Sequence, residues 1–478
     1  AEIFTFEVLQ DTYLKALNNS DKEHVTSLMK NNIILYLIVI LLLFSCSSYE
    51  RYKENIKFYN SPELFHDSMQ KLTDVIVYDI FSPPVASRIY AYPSIAAYEV
   101  LINDNLNYKS FAGQLNGLDP IPKPDPNKEY SFPVASLHAF LTVGKDLIFS
   151  ENKIESYQNE LQEEFKKMGI PNDILMRSIE YGESVAVHIK KWYEKDNYKQ
   201  TRSFPKYTIQ RGNDYSWKPT PPDYMEGIEP HWNKIRTLVV DSSDQYMIEP
   251  PPEFSLNKNS KFYKDLIEVY EIGNNLSDEQ KEIASFWDCN PYVSHHKGHA
   301  MFATKKITPG GHWIGITKIA TKKANLNLME TIQTYALVSI SLFDAFIICW
   351  DEKWRSILVR PETVINQYID SEWIPFLQTP PFPEYTSGHS VISRSAAKIL
   401  THLLGDNFEF LDTSEEKYGL PARNFKSFIH ASEEAAISRI YGGIHYMPAI
   451  TYGVEQGEKV GTHVIKTLIT KQNLLSKN

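Results

Sequence analysis

The chain has 478 residues, of which 42% are hydrophobic and 23% charged, a composition typical of globular proteins that argues against disorder. Its formal charge of -10 argues against the basic face of a nucleic-acid binder, so we expect no nucleic-acid partner. Three cysteines, Cys46, Cys289 and Cys349, are too few and too scattered to predict a disulfide framework or a cysteine-based zinc site.

The first predicted element is an export signal. Met29 and Lys30 precede an apolar run at residues 33–44, which suits a signal peptide but is shorter than the roughly 20 residues that span a bilayer. The run ends in Leu-Phe-Ser-Cys, which resembles a bacterial lipobox with Cys46 as the lipid-anchored residue. We therefore expect a signal peptide at 29–45 and an exported lipoprotein in the periplasm or at the cell surface, with residues 1–28 outside the mature protein. A buried core helix is the alternative.

Helical periodicity dominates from residue 61 onward. Apolar residues recur at three-and-four spacing over 152–169 and 172–196, and Ser277 with Gln280 predicts a capping box for a helix that runs to about Trp287.

Further helices are predicted in the C-terminal part, at 327–359, 388–404, 432–441 and 452–467. The first is expected to be amphipathic and to end at Pro361. The Pro-rich stretches 119–133 and 201–252 are predicted to be irregular loops. The fold class is therefore all-α, with an N-terminal helical region at 46–300 and a C-terminal helical core at 301–478.

Three short motifs in the C-terminal part carry groups suited to anion binding. Lys353 and Arg360 lie seven residues apart, so on a single helix they would share a face and converge on one oxyanion. Ser387-Gly388-His389 opens a predicted helix, where the backbone N–H groups and the helix dipole favour negative charge. His389 would then lie beside the anion, where it can exchange protons.

The third motif is Ser438-Arg439, followed by His445 after two glycines. Arg439 adds a second guanidinium, and His445 can turn its imidazole toward the same pocket. Each motif alone has an ordinary structural explanation, as a helix cap, a solvated face or a buried histidine. Together, in this order, they indicate a bound multivalent anion.

The pattern Lys-x6-Arg-Pro, Ser-Gly-His and Ser-Arg-x5-His resembles the superfamily of type 2 phosphatidic acid phosphatases, bacterial acid phosphatases and vanadium-dependent haloperoxidases. The context Trp350-x2-Lys353 and the loop PPFPEYTSGHS look more like bacterial haloperoxidases, some of which prefer iodide. The resemblance implies a large helical bundle that holds vanadate as cofactor. It also implies that hydrogen peroxide oxidises a halide, iodide or bromide, to hypohalous acid.

The resemblance also implies a role for each motif residue. The groups expected on vanadate oxygens are those of Lys353, Arg360, Ser387, Gly388 and Arg439. His445 is expected to bind vanadium, His389 to act as the acid-base group, and Lys353 to assist catalysis.

One position departs from the family pattern. Many members have an acidic residue four positions after the last histidine, and Ala449 stands there in this chain. A carboxylate normally orients a metal-bound imidazole, so an acid from elsewhere or a backbone carbonyl must replace it.

Aromatic residues near the motifs suggest a halide pocket. Trp350, Phe382 and Tyr292 are candidates for its lining, although Trp350 and Phe382 serve equally well as a core residue and a loop anchor. His295 and His299 have a spacing that can hold a metal, but a pocket wall near Tyr292 is the favoured interpretation.

Two other functions stay open on the sequence. A phosphatase of the same superfamily would use His445 as a nucleophile and form a phosphohistidine. A surface lipoprotein with a relic site would bind without catalysis. Vanadate and phosphate fit the same motifs, which therefore do not separate the first two functions.

Overall fold

The computed structural model describes residues 27, 30–35, 49–297, 300–303 and 305–471, with only the backbone described at 295–297 and 300–303. Cys46 and most of the predicted signal peptide lie outside the described residues, as does His299. The side chain of His295 is likewise not described.

The described chain is mostly helical, which confirms the all-α prediction. Its helices from residue 56 onward are α1 Ile56–Tyr59, α2 Pro62–Tyr78, α3 Pro83–Leu101, α4 Phe132–Asp146, α5 Glu151–Lys167, α6 Asn172–Tyr193, α7 Tyr198–Thr201, α8 Lys261–Asn274, α9 Asp278–Phe286, α10 Pro309–Lys323, α11 Leu328–Ser356, α12 Pro361–Tyr368, α13 Gly388–Leu404, α14 Phe428–Tyr441 and α15 Met447–Thr467.

Two short antiparallel hairpins accompany the helices. In the first, β1 Ser294–Lys297 pairs with β2 Ala300–Ala303. In the second, β3 Phe410–Asp412 pairs with β4 Arg423–Phe425. The Pro-rich stretches are irregular as predicted, apart from short helical turns within the second.

Side-chain caps fix many of the helix starts. Ser277 and Gln280 form the predicted capping box at α9, and Asn327 with Glu330 forms another at α11. Ser387 caps α13 by accepting a hydrogen bond from the backbone N–H of Ser390. Each cap satisfies a backbone donor that would otherwise lack a partner at the first turn.

Helix α11 is the centre of the fold. It packs against α3 on one side and α13 on the other, so it joins the N-terminal helices α3, α4 and α6 to the C-terminal helices α13, α14 and α15. The helix is buried on every face from Thr331 to Lys353, so the prediction that it is amphipathic, with one exposed polar face, is wrong. By length and composition α11 could cross a membrane, but its apolar window is fully buried in protein, as expected of a core helix.

Three predicted boundaries in the C-terminal part need correction. Helix α11 ends at Ser356 because Ile357 adopts a left-handed conformation, and Pro361 begins the next helix. Helix α14 starts at Phe428, capped by Ser427, and α15 starts at Met447 with a proline in its first turn. The predicted start at 388 is correct.

Candidate active site

Lys353 lies in the last turn of α11 and is fully buried. Its ammonium group donates hydrogen bonds to the carbonyls of Pro383 and Glu384, both at 3.0 Å, and to that of Thr386. Burial lowers the pKa of Lys353 to about 7. The side chain therefore holds the loop before α13, and all three of its N–H donors have backbone partners.

Arg360 does not share a helix with Lys353, contrary to the sequence-based prediction. It occupies the N-cap position of α12, after the turn that ends α11, and its guanidinium is buried in the interior. Arg360 Nε donates to the carbonyl of Phe382 at 2.9 Å, and Nη1 donates to that of Ile444 at 2.8 Å. Its Nη2 has no hydrogen-bond partner among the described residues.

The Ser-Gly-His motif forms the N-terminus of α13. Ser387 Oγ accepts from the hydroxyl of Ser390 at 2.8 Å, which leaves the Ser387 hydroxyl hydrogen available to a ligand. A Cβ added at Gly388 would have only the Trp350 ring nearby, at 3.7 Å. His389 is partly buried, and its Nε2 has no partner among the described residues.

Arg439 lies in the last turn of α14 and is buried. Its Nε donates to Ser438 Oγ at 2.9 Å and its Nη2 to the carbonyl of Trp287 at 2.7 Å. Burial lowers the pKa of Arg439 to about 10, which still leaves a cation at neutral pH.

The hydrogen bonds of His445 fix its tautomer. Its Nε2 lies 3.1 Å from Arg360 Nη1, which can only donate, so Nε2 carries the lone pair. Its Nδ1–H donates to Glu384 Oε1 at 2.8 Å. Burial, reinforced by Arg360 and Lys353, holds the pKa of His445 well below its usual range. The imidazole is neutral, and a metal would bind Nε2 in place of the hydrogen bond from Arg360.

Glu384 is the residue that the sequence analysis missed. It is fully buried, accepts a second hydrogen bond from the backbone N–H of Tyr446 at 3.0 Å, and supplies the carboxylate that Ala449 lacks. Burial raises its pKa to about 7. The available signal was modest: it is the single acidic residue in the loop PPFPEYTSGHS.

A cavity of about 40 Å³ lies beside these groups. Four of the seven motif residues line it: Gly388, His389, Arg439 and His445. Lys353, Arg360 and Ser387 do not line it, although Lys353 Nζ lies 5.1 Å from the ring centre of Phe382 in the wall.

The three predicted halide-pocket residues line the same cavity. The rings of Trp350 and Phe382 lie 5.0 Å apart, and Tyr292 is on the wall with Phe346. The cavity therefore combines a cationic and imidazole side with an aromatic side. The structure thus places these three side chains together, but it does not test a role in halide binding.

The chemistry of the surrounding groups fits an oxyanion such as vanadate. Arg360 Nη2 and His389 Nε2 are buried polar atoms without partners among the described residues. Gly388 has no side chain that would keep an anion away from its backbone. Cationic donors suit the oxygens of an anion, and a neutral imidazole suits its metal atom.

Comparison with known proteins supports the same conclusion. Residues 333–473 match the family model of the VCPO second helical-bundle domain. No curated protein sequence matched the chain. A crystal structure described as the first bacterial vanadium-dependent iodoperoxidase is 51% identical, with a TM-score of 0.83, over 87% of this chain and 98% of that one.

Two bacterial vanadium-dependent chloroperoxidase structures, holo and apo, share the fold. They are 17% and 16% identical to this chain, each with a TM-score of 0.61 and 81% of this chain covered, and with 93% and 94% of their own chains covered.

Fold and site together define a vanadium-dependent haloperoxidase, an oxidoreductase that uses hydrogen peroxide and a halide. The 51% identity over nearly the whole relative places this chain in that family, with vanadate as its cofactor.

Proposed function

We propose that this haloperoxidase prefers iodide. The observation that carries the proposal is the cavity wall of Trp350, Phe382, Tyr292 and Phe346 beside His389. Iodide is a large, polarisable and weakly hydrated anion, so it loses little by entering an aromatic space. The iodoperoxidase relative, at 51% identity, supports the same preference.

Each motif residue has a proposed role in this reaction. Bound vanadate supplies an electrophilic centre that activates hydrogen peroxide toward halide. His445 holds that cofactor through Nε2, and Glu384 keeps the imidazole in the required tautomer and orientation. Arg360, Arg439, Gly388 and the Ser387 hydroxyl provide positive charge and donors for its oxygens.

His389 is the proposed proton carrier. Its Nε2 is unpartnered among the described residues and belongs to a side chain that lines the cavity. Burial, with Arg439 next in effect, holds the pKa of His389 well below its usual range, so the resting imidazole is neutral and can accept a proton.

Lys353 contributes chiefly by position. Its Nζ lies beside the Phe382 ring, and its N–H donors hold the loop that carries Glu384. A hydrogen bond from Lys353 to the cofactor would require it to exchange one of its carbonyl partners.

The halide preference is tested by steady-state kinetics. The vanadate-loaded enzyme is assayed with hydrogen peroxide and iodide, bromide or chloride. We expect kcat/KM for iodide to exceed that for bromide, and that for chloride to be lowest. A higher value for bromide or chloride would contradict the proposal.

We also propose that the protein is an exported lipoprotein anchored through Cys46. The proposal is supported by the Lys30, apolar-run and Leu-Phe-Ser-Cys pattern of the sequence. Mass spectrometry of the protein from bacterial membranes should find an acylated N-terminal Cys46, and Cys46→Ser should leave the protein unprocessed. An unmodified Cys46 within an uncleaved chain would contradict this proposal.

A further inference from the structure

A second buried polar cluster lies beside the anion site and has no role in the reaction described above. It consists of Cys289, His312, Asp412 and Glu415, all buried. Cys289 follows α9, His312 lies in the first turn of α10, and the two acids lie at and after the end of β3. The fold thus brings together groups from three separate segments.

The distances between three of these side chains match the coordination shell of a metal ion. Cys289 Sγ lies 3.4 Å from His312 Nδ1, and His312 Nδ1 lies 3.1 Å from Glu415 Oε1. The sulfur and the carboxylate oxygen are 3.9 Å apart. Zinc bonds of about 2.3 Å to sulfur and about 2.0 Å to nitrogen and oxygen separate tetrahedral ligand atoms by roughly 3.3–3.6 Å. One ion can therefore contact all three with shifts of a few tenths of an ångström.

The fourth residue of the cluster fixes the imidazole for this purpose. His312 Nε2–H donates to Asp412 Oδ2 at 2.9 Å, and on its other side Nδ1–H donates to Glu415 Oε1 at 3.1 Å. A metal ion would take the place of this Nδ1 proton, while the bond to Asp412 would keep the ring in position. Asp412 is itself held by the backbone N–H of Ser414 at 3.0 Å and its hydroxyl at 2.6 Å. A carboxylate behind a histidine is the usual outer partner of a zinc-bound imidazole.

We propose that Cys289, His312 and Glu415 bind a zinc ion, with Asp412 orienting the imidazole. A thiolate and a carboxylate together neutralise the charge of a divalent ion, and a sulfur, imidazole and carboxylate set favours zinc over magnesium or calcium. Three protein ligands leave the fourth tetrahedral position to water.

The location assigns this zinc a positioning role. The Trp287 ring stacks on His312 with centres 4.5 Å apart, and the Trp287 carbonyl accepts from Arg439. Cys289 and Tyr292 both line the cavity of the anion site. The ion thus ties the segment after α9 to α10 and to the β3–β4 connection, and it holds one wall of the active site in place.

The test is the metal content of the full chain, purified without added vanadate from cells grown with zinc and measured by inductively coupled plasma mass spectrometry. We expect about one zinc per chain. Cys289→Ser and His312→Gln should each retain less than about a tenth of that. Asp412→Asn should weaken zinc affinity about 10- to 100-fold. Cys349→Ser, which alters the other described buried thiol, is the matched control and should keep its zinc.

A second measurement uses only the wild-type protein, so its result does not depend on whether the variants fold. The wild-type protein, stripped by a chelator and reloaded with Co²⁺, should show thiolate-to-cobalt charge-transfer absorption, and added zinc should abolish it. Wild-type protein without bound zinc and without that absorption would overturn the proposal, as would equal zinc in Cys289→Ser and wild type. Iron or copper at one per chain would overturn the choice of zinc. None of these readouts depends on vanadate or on halide oxidation.

Discussion

At the scale of single residues, the site depends on the groups that orient His445. His445 lies between Glu384 and Arg360, and each contact favours the same neutral tautomer. Buried charge partners of this kind are expensive to remove, because the remaining buried group loses a hydrogen-bond partner that compensates its charge.

Glu384→Gln is expected to weaken vanadate binding about 10- to 100-fold, since an amide orients the imidazole less well than a carboxylate. The dissociation constant is measured by titrating vanadate into the vanadate-free protein and following halide oxidation. Glu99→Gln, another buried glutamate on α3 and outside the cavity lining, is the matched control and should bind vanadate normally. An unchanged vanadate affinity in Glu384→Gln would show that Glu384 does not support vanadate binding.

His389→Ala is expected to separate binding from catalysis. Loss of a proton carrier should lower kcat about 10²- to 10⁴-fold, while bound vanadium per chain stays near the wild-type value. Equal activity in the variant would exclude the proton-transfer role. Joint loss of vanadium and activity would make His389 an anion ligand instead.

At the scale of elements, one buried acid on α11 attaches a long irregular segment to this central helix. Asp344 lies on α11 and accepts backbone hydrogen bonds from Leu238, Val239 and Val240 at 2.7–3.0 Å. Through these bonds the long irregular segment after α7 is attached to the central helix. The partners of Asp344 lie about 100 residues away in the chain, so they could not be predicted from local spacing.

Asp344→Ala is expected to lower the free energy of unfolding by about 3 kcal/mol or more, because three buried N–H groups lose their acceptor. Urea unfolding at pH 8 measures the change. Ser339→Ala on the same helix is the control, since the Ser339 hydroxyl has no described partner and its removal should cost less than about 1 kcal/mol. Equal stabilities of the two variants would contradict the assignment.

At the scale of the whole molecule, the two groups of helices on either side of α11 bury several ionisable residues. Glu99 on α3 accepts from the Ser110 hydroxyl and the Phe111 N–H, both at 2.6 Å. Burial nevertheless raises its pKa to about 7, so the folded protein binds a proton at Glu99 that the unfolded chain releases near pH 4.5.

This proton makes stability depend on pH. The contribution of Glu99 is fully present below about pH 4.5 and is lost as pH rises to about 7, a change of up to about 3 kcal/mol. Glu99→Gln cannot titrate, so its stability relative to wild type should rise over that window and then level off. Unfolding curves of both proteins at several pH values measure the difference, and a constant difference would contradict the shift.

Helix starts near the site could be predicted from the sequence, whereas the contacts that orient its side chains could not. The start of α13 and the capping box at Ser277 follow from local spacing, which is why they were predicted correctly. Glu384 and the cluster around His312 depend on contacts between residues 23 to 126 positions apart, which no local pattern contains. The same limit explains why Arg360 was placed on the helix of Lys353, since a left-handed residue at Ile357 redirects the chain.

The central claim is that His445 anchors vanadate for halide oxidation. The decisive measurement is bound vanadium per chain, read beside iodide oxidation with peroxide, in wild type and His445→Ala after equilibration with vanadate. We expect about one vanadium per wild-type chain and activity that saturates with it, both lost in His445→Ala. A wild-type protein that binds no vanadium, or that only hydrolyses phosphate esters with vanadate as an inhibitor, would contradict the account.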